Sequence, residues 1–216
     1  MHVKGFLHKL LSSVTIHQKR LATLSLSVEA VIKSKKLSLT ALARSIPLKI
    51  QERSAIKKVD RLVGNVKLHA ERIDIYKASI NQLLGTKKRP SIIVDWSHIP
   101  NSVFYVLRAA LVVQGRALTL YEEVHHESLL GNINIQSIFL TNLSKLLPAD
   151  TRPIILTDAG FYNEWFIKVL SFDWDYVGRV RGSYTYTTDG KTWEKFLETY
   201  ASATNKSSYL GHVDLC

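Results

Sequence analysis

Two aspartates that follow apolar runs are the residues of this sequence best suited to chemistry. Asp95 follows the run SIIV, and Asp158 follows the run PIILT. We predict that Asp95 terminates a first strand and Asp158 a fourth. If those strands are neighbours in a mixed sheet, the two carboxylates approach closely enough to share a divalent cation. The alternative is that each aspartate caps a turn or the following helix, as Asp158 before Ala-Gly easily does.

The elements that would position these aspartates begin at Arg89. Short apolar runs predict strands at 91–96, 104–114, 116–124, 153–157 and 175–182, and helical spacing predicts helices at 134–147 and 163–170. Gly115 separates the second and third strands, which indicates a hairpin. The order β-β-β-α-β-α-β resembles the core of an RNase-H-like domain. We therefore expect an α/β chain with a helical N-terminal region followed by an RNase-H-like mixed sheet.

Charge divides the chain into two regions. The net charge is +11, but residues 1–90 hold 19 Lys and Arg against 5 Asp and Glu, whereas residues 91–216 hold 10 against 13. A basic segment joined to a near-neutral one indicates that the first binds a polyanion. Nucleic acid is the favoured partner, and an anionic membrane surface is the alternative.

The basic region is predicted to form several short helices. Apolar residues recur at helical spacing at Phe6, Leu7, Leu10, Leu11 and Val14, and again at Leu21, Leu24, Val28 and Val31. A further helix would start at Ser38 or Thr40 and stop at Ser45–Pro47, and another would follow over 50–63. In the last of these, one broad face carries four cations that could lie against phosphates: Arg53, Lys57, Lys58 and Arg61. The alternative is a solvated basic face on an ordinary helical bundle.

Several segments, in the same order along the chain, resemble one family. The stretches IIVDWS, YVLRAALVVQGRALTLYEEV, PIILTDAGFYNEWF and DYVGRVRG resemble the DDE transposases of bacterial insertion sequences, in particular the insertion-sequence-four family. IKKVDRLVGN resembles the segment before their catalytic domain, so the likeness covers about residues 40–185. It implies that Asp95 and Asp158 are the first two carboxylates of a metal-binding triad. It also implies cut-and-paste phosphoryl transfer on DNA ends with Mg²⁺.

The resemblance implies partners as well as chemistry. Double-stranded DNA carrying the terminal inverted repeats would be the substrate. A second copy of the chain would be a further candidate partner, forming a homodimer on the DNA. Arg179 and Arg181 are predicted to alternate on one side of the last strand near the site, where they would neutralise backbone phosphates. The alternative for both is an exposed strand arginine paired with Asp or Glu.

The sequence departs from the family at the third carboxylate. The family's glutamate motif, Y..R....E......K, does not occur here. We predict a helical basic DNA-binding region at 1–88, a partial RNase-H-like core at 89–182 and the truncated start of the family's insertion at 183–216. We do not expect another residue to replace the third carboxylate as a metal ligand; the candidates considered are Glu164, Glu194, Glu198 and the cluster His125-His126-Glu127. The two histidines of that cluster should point to opposite sides and remain solvated.

Two functions follow from that departure. The first is a transposase in truncated form, with weak metal binding and little activity. The alternative is a non-enzymatic DNA-binding fragment that inhibits transposition by occupying the inverted repeats.

Composition also bears on where the chain works. No apolar run approaches the roughly 20 residues of a membrane span, and no signal peptide is evident. Cys216 is the only cysteine, which leaves no internal disulfide and no cysteine-based zinc site. We expect a cytoplasmic protein that is nucleoid-associated when bound to DNA, with no membrane partner.

Overall fold

The structure is a computed structural model that describes residues 5, 9–10, 12–181, 183–206, 209 and 211–216. It divides into two compact units. The first comprises Met1–Thr86 together with Lys145–Ala149, and the second comprises Lys87–Ser144 and Asp150–Cys216. None of the described helices is long and apolar enough to cross a membrane.

The first unit is helical. Its described helices are α1 (Gln18–Ser34), α2 (Leu39–Ser45), α3 (Glu52–Val63) and α4 (Val66–Leu84). Helices α1 to α3 enclose a small apolar core of Ala30, Leu42, Ile46 and Val59, against which Val31 packs. A helical region was therefore predicted correctly, although α1 and α4 are longer than the short helices expected, because no glycine or proline interrupts either one.

The predicted helix boundaries in this unit rest on local hydrogen bonds. Ser38 is the N-cap of α2, and its hydroxyl accepts the N–H of Ala41 at 3.3 Å. The helix ends at Ser45, since Ile46 before proline adopts an extended conformation. Helix α3 lies within the predicted 50–63. Of the first predicted stripe, Phe6, Leu7 and Leu11 lie outside the described residues, while Leu10 and Val14 are buried.

The second unit is built on a five-stranded mixed sheet. Its strands are β1 (Ser91–His98), β2 (Phe104–Val113), β3 (Arg116–His126), β4 (Ile154–Thr157) and β5 (Asp175–Gly178). They lie in the order β3-β2-β1-β4-β5. β1, β2 and β3 are antiparallel neighbours, whereas β4 runs parallel to both β1 and β5. Helix α5 (Ile133–Leu146) connects β3 to β4, and α6 (Asn163–Leu170) connects β4 to β5. The mixed α/β class, the element order and the hairpin are as predicted.

Four strand ends differ from the prediction. β2 ends one residue earlier, at Val113, and β3 ends two residues later, at His126, while the ends of β1 and β5 bear on the candidate site. β1 continues to His98 because its pairing with β2 extends to His98↔Tyr105, so Asp95 lies inside the strand rather than at its end. β5 stops at Gly178 because its partner β4 stops at Thr157, after which only the Arg179 N–H reaches the Thr157 carbonyl at 3.3 Å. The predicted strand to residue 182 was therefore wrong. Arg179 and Arg181 follow the strand, and Gly182 lies outside the described residues.

Residues after 182 form a small second sheet. Its strands β6 (Thr185–Thr187), β7 (Glu194–Lys195) and β8 (Asp214–Leu215) lie in the order β7-β6-β8. A 3₁₀ helix spans Phe196–Ser202.

The two faces of the five-stranded sheet differ in what they contact. We name the face of Trp96, Leu107 and Glu123 the covered face, because α5 and α6 lie on it. There the Phe139 ring of α5 stacks on Tyr121 at 5.2 Å, and the Phe166 ring of α6 lies 4.4 Å from Tyr176.

The opposite face, which carries Asp95, Arg108 and Glu122, is named the open face. Its apolar residues include Ile93, Val124 and Val177, which are 38%, 57% and 59% exposed. These three side chains are therefore accessible to solvent, whereas Val106 and Ala110 on the same face are buried.

Candidate functional site

Asp95 on β1 lies level with Asp158, which directly follows the neighbouring strand β4. The parallel register of β1 and β4 pairs Ile93 with Leu156, and two residues further along each chain are Asp95 and Asp158. Because side chains alternate with a period of two, both carboxylates project from the open face. Asp158 directly follows β4, as predicted.

The electrostatics of Asp95 show that the two carboxylates interact. Burial raises the pKa of the Asp95 carboxyl, a hydrogen bond from the Trp96 backbone lowers it, and the negative charge of Asp158 raises it, with a net upward shift. Two like charges that interact through space favour a proton or a cation between them. The sheet thus brings together the two aspartates that the sequence singled out.

Asp158 is oriented by its own turn. Its Oδ1 accepts the N–H of Gly160 at 2.8 Å, which is the turn-capping role considered as the alternative. This bond fixes the direction of the carboxylate and is compatible with cation binding at the same group. A Cβ added at Gly160 would lie 3.0 Å from Oδ1, so the residue must be small for the carboxylate to keep this position.

A second charged pair occupies the same row of the open face. Arg108 on β2 lies opposite Asp95 on β1 and opposite Glu122 on β3. Its Nε donates to Glu122 Oε2 at 2.8 Å. The row therefore reads Glu122, Arg108, Asp95, Asp158 across four strands. The sequence pattern did not single out Arg108 or Glu122, since only the pairing register shows that they are neighbours of Asp95.

The donor set is compatible with one hard cation. Mg²⁺ prefers oxygen ligands and is usually held by one or two carboxylates while it retains several waters. Among the residues that the structure describes, no group of three or more His, Cys, Asp and Glu side chains is placed to hold a metal. The described residues thus offer a pair of carboxylates, and a pair can hold one hydrated ion.

The two histidines of the cluster point to opposite sides of β3, as predicted, but only one of them is solvated. His125 is only 15% exposed, and its Nε2 lies 3.0 Å from Glu123 Oε2. The prediction that both histidines are solvated was wrong for His125, because α5 covers the face to which it points. His126 is exposed, and its Nδ1 lies 3.0 Å from the Ser128 hydroxyl.

Only two of the four cations predicted on the basic face of α3 line a pocket. Lys58 and Arg61 line a pocket of about 570 Å³ whose other wall is α1, with Lys19 and Arg20. Arg20 is held by Glu71, whereas no ion pair among the described residues involves Lys19, Lys58 or Arg61. Arg53 and Lys57 are exposed on the same helix but do not line the pocket. The four predicted contacts thus form two separate pairs.

Arg179 and Arg181 are exposed beyond the end of β5. The Arg179 backbone bonds to Thr157, the residue before Asp158, so this arginine lies beside the aspartate pair along the sheet. Within the described part of the chain neither arginine forms an ion pair with a carboxylate.

Comparison with known proteins identifies no relative: no protein-family model, no curated protein and no solved structure matches this chain.

Proposed function

We propose that this chain acts on DNA as a phosphoryl-transfer protein of the bacterial insertion-sequence transposase type. In this proposal the second unit is an RNase-H-like core, and Asp95 with Asp158 holds Mg²⁺ on its open face. The observation that carries the proposal is the convergence of these two exposed carboxylates, one on β1 and the other directly after the parallel strand β4. A bound Mg²⁺ would neutralise a phosphate oxygen and activate water or a 3′-hydroxyl.

The chain's own residues would contribute positioning and charge. Asp158, oriented by the Gly160 N–H, would present its carboxylate to the cation together with Asp95. Arg179 and Arg181, which have no carboxylate partner in the described part of the chain, would neutralise backbone phosphates next to the pair. No protein nucleophile is required, because phosphoryl transfer of this kind proceeds in line.

The basic unit would supply the DNA affinity in this proposal. The pocket between α1 and α3 presents three cations, Lys19, Lys58 and Arg61, without a carboxylate partner among the described residues. Ser54 and Asn65 line the same pocket and can donate to phosphate oxygens, whereas the Thr23 hydroxyl donates to the Lys19 carbonyl. Double-stranded DNA with the terminal inverted repeats is the proposed ligand.

A non-catalytic DNA-binding protein is the second candidate. The observation that favours it is the carboxylate count: the described residues offer a pair where a complete site of this class uses three. Such a protein would occupy the inverted repeats without cutting them and would inhibit transposition.

Binding and cleavage can be separated in one experiment. Purified chain is incubated with the inverted repeats that flank its own gene, with and without Mg²⁺, and both gel shift and nicking are followed. Mg²⁺-dependent nicking that is lost in Asp95→Asn and Asp158→Asn supports the enzymatic proposal. Specific, Mg²⁺-independent binding without nicking supports the inhibitor. No binding to the repeats contradicts both.

The pocket offers a matched pair of variants on one helix. We expect Lys58→Gln/Arg61→Gln to reduce the slope of log K against log salt by about 2, since two phosphate contacts are lost. Arg53→Gln/Lys57→Gln removes the same charge from α3 outside the pocket and should change that slope by less than half as much. Equal effects of the two variants would contradict a role for the pocket itself.

A further inference from the structure

The ion pair between Arg108 and Glu122 bears directly on the aspartate site. Arg108 stands opposite Asp95 in the antiparallel register of β1 and β2, where directly paired residues have Cβ atoms roughly 5 Å apart. At that separation a free guanidinium would pair with the Asp95 carboxylate. Instead, the Arg108 Nε donates to Glu122 on the other side, and no ion pair joins Arg108 to Asp95 among the described residues.

A β-bulge makes this arrangement possible. The pairing of β2 with β3 shifts by one residue between Ala109 and Ala110, and Leu120 is the extra residue on β3. Without the shift, Arg108 would face Tyr121, and Glu122 would point to the covered face. The bulge therefore moves the Glu122 carboxylate onto the open face, next to Arg108. Bulges that redirect a side chain in this way are frequent beside functional sites.

We propose that Glu122 is a positioning residue that holds the Arg108 guanidinium away from Asp95, so that Asp95 and Asp158 remain free to share a divalent cation. Without the Glu122 charge, Arg108 turns to Asp95 and competes with the cation for the same oxygens. The inference rests on the proposed metal site, and it adds two residues that neither the sequence pattern nor the carboxylate pair identified.

The first test measures Mn²⁺ binding by titration calorimetry, with Mn²⁺ as the probe for the site. Glu122→Gln should weaken Mn²⁺ binding by about 10-fold, the size expected when a residue that orients a metal ligand is lost. Arg108→Gln should leave the affinity within about 3-fold of the wild type, and the double variant should recover that value. A purely structural ion pair predicts the opposite pattern, in which both single variants weaken binding alike and the double variant does not recover.

The second test uses metal-free protein and does not depend on the proposed metal site. A double-mutant cycle of Arg108→Gln and Asp95→Asn is measured by urea denaturation in the wild type and in Glu122→Gln. We expect no coupling between the two positions in the wild type and a favourable coupling in Glu122→Gln. Absence of coupling in both backgrounds overturns the inference. If Mn²⁺ binding is independent of Asp95 but the coupling appears, the metal proposal fails while the restraint of Arg108 by Glu122 stands.

Discussion

Two adjacent glutamates, Glu122 and Glu123, show how differently the two faces of the sheet use charge. Glu123 lies on the covered face with its side chain 14% exposed, and three groups bond to its carboxylate: the Tyr121 hydroxyl at 2.5 Å, Asn142 Nδ2 at 2.9 Å and His125 Nε2 at 3.0 Å. Glu122 lies on the open face with its side chain 36% exposed and bonds to Arg108. The covered charge is satisfied within the protein, whereas the open face keeps carboxylates available to ligands.

The largest expected effect is a loss of stability when the Glu123 carboxylate on the covered face is removed. Glu123→Ala would remove the carboxylate that accepts from the Tyr121 hydroxyl and the Asn142 amide in a mostly buried setting. We expect it to lower the free energy of unfolding by about 3 kcal/mol. The matched Glu122→Ala, which breaks a half-exposed ion pair, should lower it by only about 0.5 kcal/mol. Urea denaturation of both variants checks this, and a comparable loss in the two would remove the contrast between the faces.

A smaller effect, on metal affinity, is expected when a methyl group is added at Gly160 in the turn after β4. Gly160→Ala places a Cβ 3.0 Å from Asp158 Oδ1, so the carboxylate must move. We predict a loss of about 10-fold in Mn²⁺ affinity, since the ligand loses its orientation. Gly64→Ala serves as the control, because the nearest atom to its Cβ is the Asp60 carbonyl oxygen at 3.6 Å, in the other unit. Unchanged affinity in Gly160→Ala would show that the Gly160 bond does not position Asp158.

The smallest expected effect is a pH dependence of the free energy of unfolding that arises from Asp95 on the open face. The pKa of Asp95 is raised in the folded chain by burial and by the Asp158 charge. The native state therefore holds this proton more tightly than the unfolded chain, and stability falls as pH rises from about 4 through the folded pKa. Asp95→Asn should flatten that part of the profile in metal-free buffer, as measured by urea denaturation between pH 3.5 and 7, roughly the range over which a raised carboxyl titrates. An unchanged profile in the variant would show that Asp95 does not carry the effect.

The sequence predicted elements well where the signal is local. Apolar runs located all five strands of the main sheet, and the helix at Asn163–Leu170 was predicted with its observed bounds. The predicted chain order placed Asp95 in the first strand and Asp158 at the end of the fourth. That these two strands are neighbours was only a condition of the prediction, and the observed sheet order fulfils it.

Features that depend on pairing partners were not predictable from local pattern. Asp95 lies within β1 because β2 continues the ladder to His98, and β5 ends early because β4 offers no further carbonyls. The bulge at Leu120 decides which of two adjacent glutamates reaches the open face. Two of the four cations on α3 line a pocket with α1, and the other two do not. The sequence did not show this, because α1 is distant along the chain from these cations.

Calorimetric titration of the wild-type chain with Mg²⁺, beside Asp95→Asn, Asp158→Asn and Glu164→Gln, tests the central claim most directly. The account predicts that the wild type and Glu164→Gln bind one Mg²⁺ with the same affinity, and that either asparagine variant loses this binding. Mg²⁺ binding that persists unchanged in both asparagine variants would contradict the assignment of the carboxylate pair as a metal site.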